Sequence, residues 1–202
     1  MLMDPRQARV RLLFDREHYE TLVLGLVRGV RTSLWIATAN LKELMVEAPI
    51  GTRARARGRY VSIVEDLRAL VARGVDVRLL HASPPSGPMT RSIGGDATLR
   101  ARMRMCPRVH LKILAADGAW LYLGSANFTG AGLGAKNDGR RNFELGVLTD
   151  DDVLLDATQA RFDRIWRGKE CASCKLRNVC PKPIDALENG GKKALTMRRR
   201  GK

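Results

Sequence analysis

The spacing of apolar residues along the chain predicts strands and helices that follow one another. Short apolar runs rich in β-branched or aromatic residues predict strands, and apolar residues three and four positions apart predict amphipathic helices. The predicted strands cover residues 33–39, 75–80, 109–115, 119–124 and 143–148. The predicted helices cover residues 17–30, 60–73, 97–105 and 153–166. Because a strand, a helix and a second strand occupy 33–80, the pattern predicts a parallel unit and an α/β fold.

Two stretches dense in glycine, proline or serine predict loops, at 83–96 and 129–141. From Gly168 onward the composition changes to cysteine, proline and lysine, and the last dozen residues are strongly basic. We therefore expect a main domain over 1–168, a cysteine-rich metal-binding segment over 169–188 that packs on it, and a basic disordered tail over 189–202.

The 202 residues carry a formal charge of +15 and the pI is near 10.5, which favours polyanionic partners. Nucleic acid comes first and an anionic membrane surface second. Four arginines on alternating positions would neutralise backbone phosphates without reading sequence: Arg53, Arg55, Arg57 and Arg59. No run approaches the roughly 18 apolar residues of a membrane span, and the amino terminus lacks a signal-peptide core. We therefore expect no membrane span and a cytoplasmic location.

The candidate chemistry lies in residues 109–127. Asp117-Gly118 predicts a two-residue hairpin turn, because a type I′ turn requires positive φ at both central positions. With that turn, His110 would lie opposite Ser125. Since opposed residues share a face of the sheet, the register decides which side chains can act together.

In that register four polar side chains project from one face: His110, Lys112, Ser125 and Asn127. An imidazole can attack phosphorus, while an ammonium group and hydrogen-bond donors hold the non-bridging oxygens of a phosphate diester. The grouping therefore predicts phosphodiester chemistry. Asp117 is explained as a turn former and needs no catalytic role.

His110-x-Lys112-x4-Asp117, followed by Gly124-Ser125-x-Asn127, resembles the HKD signature of the phospholipase D superfamily. The resemblance implies a mixed β-sheet flanked by helices, with one HKD half per chain. It also implies that one histidine attacks phosphorus to form a phosphohistidine, and that a second protonates the leaving oxygen and then activates water. No divalent metal takes part in that chemistry. Lys112 and Asn127 would bind phosphate and Ser125 would support it, while Asp117 and Gly124 belong to the structure of the motif.

In this superfamily an acidic residue further along the chain orients the histidine, and Glu144 fits that place. The chain carries one signature, because His18 and His81 lack the lysine two residues on. A two-histidine mechanism then requires a second copy of the chain. The small single-signature members of the superfamily are nucleases built as two-fold dimers, so the resemblance implies a homodimer with two copies of His110 across one cleft.

Three cysteines within ten residues have the spacing of ligands to one metal ion or cluster: Cys171, Cys174 and Cys180. Cys106 is the remaining cysteine and the candidate fourth ligand. The run CASCKLRNVC resembles the last three ligands of the iron–sulfur loop in endonuclease III-type DNA glycosylases, and a similar triplet in iron–sulfur RecB-like nucleases. This resemblance favours a [4Fe–4S] cluster, with structural zinc as the alternative.

Three functions stand as hypotheses. The first is a phosphodiesterase, independent of divalent metal, that hydrolyses nucleic acid, with DNA favoured over RNA. The second is a phospholipase D or phosphatidyltransferase acting on lipid phosphodiesters, although an aromatic content of 5% leaves few interfacial anchors. The third is a non-catalytic nucleic-acid-binding protein of the same fold, which the intact His110, Lys112 and Asn127 disfavour.

Overall fold

A computed structural model describes residues 7–188, and the predicted tail over 189–202 lies outside the described residues. The strands in this range are β1 Val10–Phe14, β2 Ser33–Thr38, β3 Met45–Glu47, β4 Tyr60–Ser62, β5 Asp76–His81, β6 Met103–Met105, β7 Ile113–Ala116, β8 Trp120–Gly124 and β9 Leu145–Thr149. The helices are α1 Tyr19–Val27, α2 Arg53–Ala56, α3 Ile63–Ala72, α4 Gly87–Ile93, α5 Ala97–Ala101, α6 Asp152–Trp166 and α7 Ile184–Glu188, with a 3₁₀ turn at Asp138–Arg140. α1 is wound as a π-helix.

Seven strands form one mixed sheet in the order β1-β9-β8-β7-β2-β5-β6, and β3 and β4 form a separate antiparallel pair. β2 and β5 run parallel, with α3 in the connection between them. β7, β8, β9 and β1 continue the sheet in antiparallel steps. The prediction of a mixed sheet flanked by helices is therefore confirmed.

The two faces of the sheet pack against different helices, because successive residues of a strand point to opposite sides. One face contributes Leu34, Leu114 and Tyr122 to the larger core, which also contains the buried residues of α1 and α3. The other face is covered by α6. There the ring of Phe162 stacks on Trp35, with centroids 5.3 Å apart.

Within residues 7–188, the face that α6 covers becomes exposed at the edge strand β1 and at the start of β9. Val10, Leu12 and Phe14 alternate along β1 and are each at least half-exposed. Leu145 of β9, the register partner of Phe14, is equally exposed. These four residues, called the apolar edge below, form an exposed hydrophobic patch of the kind that often marks an interaction surface.

The predicted helix over 60–73 begins three residues late. Tyr60–Ser62 is instead a strand paired with β3, and α3 starts at Ile63. The reason is a cap: Ser62 has an extended backbone, and its Oγ accepts a hydrogen bond from the N–H of Val64 at 3.1 Å.

Two further local predictions are wrong. The loop predicted over 83–96 contains α4, whose first turn holds Pro88 and is capped by Ser86, with Oγ accepting from the N–H of Met89 at 3.3 Å. The helix predicted over 97–105 ends at Ala101, because Met103–Met105 pairs with β5 as an outer strand.

No helix among residues 7–188 combines the length and the apolar character needed to cross a bilayer.

Candidate active site

The candidate residues gather where several strands of the large sheet end. Thr38 and His81 are register partners at the ends of β2 and β5, and Ile113 at the start of β7 pairs with Leu123 near the end of β8. All five candidate catalytic residues lie just outside β7, β8 and β9 at this edge, called the site edge below: His110, Lys112, Ser125, Asn127 and Glu144.

The hairpin that joins β7 and β8 has a three-residue loop, so the register predicted from the sequence is wrong by one residue. Asp117 and Gly118 both have positive φ, 55° and 63°, as a type I′ turn requires. Ala119 is a third loop residue, however, and Ala116 pairs with Trp120 instead of Ala119. The Asp-Gly signal locates the turn but not the position at which pairing resumes.

The shifted register changes which residues lie opposite one another. The carbonyl of Lys112 accepts a hydrogen bond from the N–H of Gly124 at 3.2 Å. Ser125 pairs with β9, since its N–H donates to the carbonyl of Leu145 at 3.0 Å. The prediction that Ser125 lies opposite His110 across the hairpin is therefore wrong.

His110 and Lys112 are in contact. Nζ of Lys112 lies 3.2 Å from both ring nitrogens of His110 and donates to the carbonyl oxygen of His110 at 3.2 Å. His110 is exposed and Lys112 is half-buried. The pair places a positive charge against an accessible imidazole, an arrangement that suits nucleophilic attack on an anionic phosphorus centre.

Glu144 belongs to a hydrogen-bonded group with Ser125 and Asn142. The hydroxyl of Ser125 donates to Oε2 of Glu144, and the amide of Asn142 donates to Oε1 at 2.9 Å. The backbone N–H of Glu144 donates to the carboxylate of Asp15 at 2.9 Å. Within residues 7–188 no hydrogen bond joins Glu144 to His110, so the group that holds Glu144 is Ser125, Asn142 and Asp15.

The side chain of Asn127 is fixed by the end of β2. Its Oδ1 accepts from the N–H of Asn40 at 3.0 Å and lies 3.2 Å from the hydroxyl of Thr38. The same hydroxyl accepts from the N–H of Phe128 at 2.9 Å. Because the N–H of Asn40 must face an acceptor, the amide oxygen is assigned, and the NH₂ group is left to donate to a ligand.

Gly124 is required by the packing of Tyr122. Gly124 and Gly146 pair across β8 and β9, and the buried Tyr122 side chain lies over both. A Cβ would meet Tyr122 at 2.2 Å at either position. The Tyr122 ring packs edge-on against His18, with centroids 5.4 Å apart, and burial raises the pKa of Tyr122. The glycine of the motif therefore serves the core beneath the site.

A cleft of ≈ 570 Å³ opens beside Asn127. Its lining contains two lysines, Lys42 and Lys136, and one carboxylate, Glu43, and is therefore net positive. Such a lining suits an anionic ligand that reaches the site edge.

The four candidate nucleic-acid-binding arginines lie in and just after α2. Arg55 forms an ion pair with Glu47. Arg53, Arg57 and Arg59 are exposed. The structure thus separates Arg55, which is engaged within the fold, from three arginines that face solvent.

The four cysteines line a second cavity, of ≈ 80 Å³: Cys106, Cys171, Cys174 and Cys180. None of the residues that line it belongs to the cleft beside Asn127. The turn that Cys106 opens is closed by the N–H of Val109, which donates to the Cys106 carbonyl at 2.9 Å. His110 follows directly, so the cysteine cavity lies against the chain that leads into the site.

The sequence analysis did not identify four residues that form hydrogen bonds with Asn127 or Glu144: Asp15, Thr38, Asn40 and Asn142. Thr38 and Asn40 had a usable signal, because polar residues that come directly after a buried strand lie at its end. Asp15 had none, since β1 was not predicted. Asn142 directly follows the glycine-rich loop over 129–141, whose path carries no periodic pattern.

Comparison with known proteins identifies the family. Residues 31–166 match the family described as "Cardiolipin synthase, PLD-like domain". Because the match covers most of the chain, the protein belongs to this family of phospholipase D-like domains. No curated protein sequence matches the chain.

Two solved structures share the fold at low sequence identity, and a third aligns with a lower score. Nuc, a phospholipase D family member from Salmonella typhimurium, has a TM-score of 0.50 and 19% identity, covering 80% of this chain and 95% of that one. TrmBL2, an archaeal chromatin protein with a novel mode of DNA binding, has a TM-score of 0.51 and 15% identity, covering 79% of this chain and 52% of its own. NucT from Helicobacter pylori has a TM-score of 0.49 and 15% identity, covering 78% and 95%.

Proposed function

We propose that the protein is a phosphodiesterase that hydrolyses nucleic acid, with DNA as the favoured substrate, through a phosphohistidine intermediate. The contact between Lys112 Nζ and the exposed ring of His110 carries the proposal. Membership of the phospholipase D-like family supports phosphodiester chemistry, and the charge of +15 supports a polyanionic substrate.

In the proposed reaction a ring nitrogen of neutral His110 attacks phosphorus as the bond to the leaving oxygen breaks. A protonated His110 from a second copy gives its proton to that oxygen. The same residue then takes a proton from water, whose oxygen displaces the first His110 from phosphorus. Lys112 and the NH₂ group of Asn127 hold the non-bridging oxygens, and no divalent metal is needed to balance these steps.

Ser125 and Glu144 act as a pair in this proposal. The hydroxyl of Ser125 donates to Glu144, which leaves the hydroxyl oxygen to accept the N–H of Leu145 at 3.1 Å. The carboxylate is thus fixed at the site edge, where it can orient an imidazolium. Since Glu144 is not bonded to His110 of its own chain within the described residues, the histidine that it orients in our proposal is the one from the second copy.

The requirement for two histidines makes the proposed enzyme a homodimer. The apolar edge supports this assembly, because Leu145 directly follows Glu144 and so brings an exposed hydrophobic face to the border of the site. A second copy that covers this face would bury Val10, Leu12 and Phe14 and would lie next to the catalytic groups. A two-fold arrangement makes the contact isologous and closes the assembly at two subunits.

We favour nucleic acid as the substrate because cationic groups line the cleft and are exposed on the segment after α2. Lys42 and Lys136 line the cleft beside Asn127, and Arg57 and Arg59 are exposed on the segment after α2. Phe143, which precedes Glu144, is 95% exposed and offers a ring on which a base could stack.

Cleavage of plasmid, single-stranded DNA and RNA in the presence of a chelator tests the proposal. Wild-type protein should cleave DNA with chelator present, and His110→Ala should lose at least about 1,000-fold in rate. Lys169→Ala changes an exposed cation that does not line the cleft beside Asn127; it is the control and should retain activity. Chelator-sensitive cleavage, or full activity in His110→Ala, would overturn the proposed mechanism.

Mixing experiments test the homodimer. If two copies of His110 complete one site, exchange of wild-type subunits with a three-fold excess of His110→Ala should lower the activity per wild-type chain about four-fold, because only wild-type pairs are competent. An activity proportional to the amount of wild-type chain, or a monomer at assay concentration that is fully active, contradicts the dimer.

A lipid phosphodiester is the second candidate substrate. It is favoured by the family description, which names cardiolipin synthase, and by the exposed Phe143 beside the site. The same chemistry would serve, so the assay is run in parallel on phosphatidylcholine and anionic phospholipid vesicles. Turnover confined to lipid selects this candidate, and turnover of neither substrate selects a non-catalytic binding protein.

A further inference from the structure

Four cysteines from two distant parts of the sequence meet around one cavity. Cys106 comes from the turn before β7, and Cys171, Cys174 and Cys180 come from the segment after α6. The cavity measures ≈ 80 Å³ and is bordered by all four side chains. No pair of them forms a disulfide.

The thiols border the cavity without converging on a point. Within residues 7–188, no three His, Cys, Asp or Glu side chains are placed to hold one metal ion. A single tetrahedral Zn²⁺ with bonds of about 2.3 Å draws its sulfurs to within about 3.8 Å of one another. In a [4Fe–4S] cluster each thiolate binds a different iron, so the four sulfurs encircle a larger body. The four cysteines line one cavity, so they can supply four thiolates to such a body.

The segment after α6 has few apolar contacts to hold it in place. Residues 169–183 run through successive turns, and Leu176 and Val179 are 41% and 76% exposed. Ile184 is buried against Phe162, and Cys171 packs on the same cluster. A short segment that buries so few apolar side chains is ordered by cross-links more readily than by burial. A metal cluster bound by four cysteines supplies four such cross-links.

The surroundings of the cavity suit an anionic cluster. Three arginines and one carboxylate line the cavity beside the cysteines: Arg108, Arg161, Arg177 and Glu170. Nearby cations offset the negative charge that four thiolates bring. Val109 and Ile165 add apolar side chains to the lining.

We propose that Cys106, Cys171, Cys174 and Cys180 bind a [4Fe–4S] cluster, which ties the carboxyl-terminal segment to the turn that leads into His110. Each cysteine binds as a thiolate and releases its proton on assembly. The cluster is structural: it crosslinks residues 106 and 171–180 and takes no part in the chemistry at His110. The inference stands whether or not the proposed nuclease activity is found.

The test is the metal content of the full chain. Protein produced with iron supplementation, purified without oxygen and reconstituted with iron and sulfide should contain about four iron atoms and four acid-labile sulfides per chain, with the brown visible absorption of a cluster. Cys106→Ser and Cys174→Ser should each lose most of the iron and the absorption. Ser173→Ala, an exposed neighbour between two ligands, is the matched control and should keep both.

Each outcome decides the proposal. About one zinc per chain, with neither iron nor sulfide after reconstitution, would overturn the cluster. Full iron in Cys106→Ser would overturn the four-cysteine site and its link to the turn before His110.

Because cysteine variants can misfold, limited proteolysis of the wild type before and after chelation of iron is measured as well. Cleavage within 169–188 should accelerate on iron removal, and an unchanged pattern would overturn the structural role.

Discussion

Oδ1 of Asp117 accepts hydrogen bonds from both the backbone N–H and the hydroxyl of Thr32, at 2.7 and 3.0 Å. The N–H groups of Arg31 and Ser33 bond the same carboxylate, at 3.0 and 3.1 Å. The carboxylate thereby joins the β7–β8 turn to the start of β2, at the end of the sheet opposite His110. Asp117 therefore stabilises the fold, and it lies at the end of the sheet away from His110.

Asp117→Asn is expected to lower the free energy of unfolding at pH 7 by about 1.5 kcal/mol. Asparagine tolerates positive φ but accepts fewer of the bonds. Burial of the carboxylate opposes its ionisation, but the hydrogen bonds from Thr32, Ser33 and Arg31 prevail and lower the pKa of Asp117. A depressed pKa stabilises the fold above the unfolded-state value of about 3.9, and that contribution is lost as pH falls through the folded-state value.

Urea unfolding of both proteins between pH 7 and pH 3 measures this effect. The wild type should exceed Asp117→Asn in stability at pH 7, and the two curves should approach one another below about pH 4. A difference that is independent of pH would contradict the role assigned to the charged carboxylate.

Gly146→Ala is expected to destabilise the fold by about 1–3 kcal/mol, because the new Cβ would lie 2.2 Å from the ring of Tyr122. Gly139→Ala is the matched control: no atom lies within 4 Å of a Cβ there, and its φ is not positive. Denaturant titration of the two variants checks the contrast, and equal effects would show that the Tyr122 ring does not constrain β9.

Asn127→Asp is expected to lower the catalytic rate about 100-fold while leaving thermal stability close to that of the wild type. The carboxylate keeps an acceptor for the N–H of Asn40 and the hydroxyl of Thr38, but it removes the NH₂ donor and repels phosphate. Steady-state rates and melting curves are measured together. Asn178→Asp, an exposed site with the same charge change, should leave the rate unchanged.

The salt dependence of DNA binding should distinguish Arg57 from Arg55. Arg57 is exposed, so Arg57→Ala should reduce the slope of log K against log salt by about 0.9. Arg55 is already paired with Glu47, and Arg55→Ala should leave the slope close to that of the wild type. Fluorescence anisotropy at several salt concentrations provides both slopes, and equal reductions would place Arg55 at the phosphates as well.

Strongly periodic segments of the fold were predictable and short paired ones were not. The helix over 153–166 and the parallel β2–β5 pair follow directly from apolar spacing. β1 was not predicted. It is an edge strand in which only Leu13 is buried, and its apolar residues lie on both faces of the strand, so the sequence does not alternate between apolar and polar residues. The sequence predicts a helix over 97–105, but Met103–Met105 pairs with β5 and is therefore a strand.

The site shows the same division between local and non-local information. The sequence predicted that His110 and Lys112 share one face, which depends only on residues two apart, and in the structure the two side chains are in contact. The placement of Ser125 depended on a register that one loop residue, Ala119, shifts. The partners of Asn127 come from β2, nearly ninety residues earlier in the chain, and no pattern within either segment specifies that meeting.

The pairing of β1 with β9 has a consequence for synthesis. Val10 and its register partner, Thr149, are 139 residues apart in the sequence, so β1 can pair only after β9 has been synthesised. Until then the alternating Val10, Leu12 and Phe14 of the nascent polypeptide have no strand to join. Closure of the sheet is therefore a late step of folding, because it depends on a contact between segments that are far apart in the sequence.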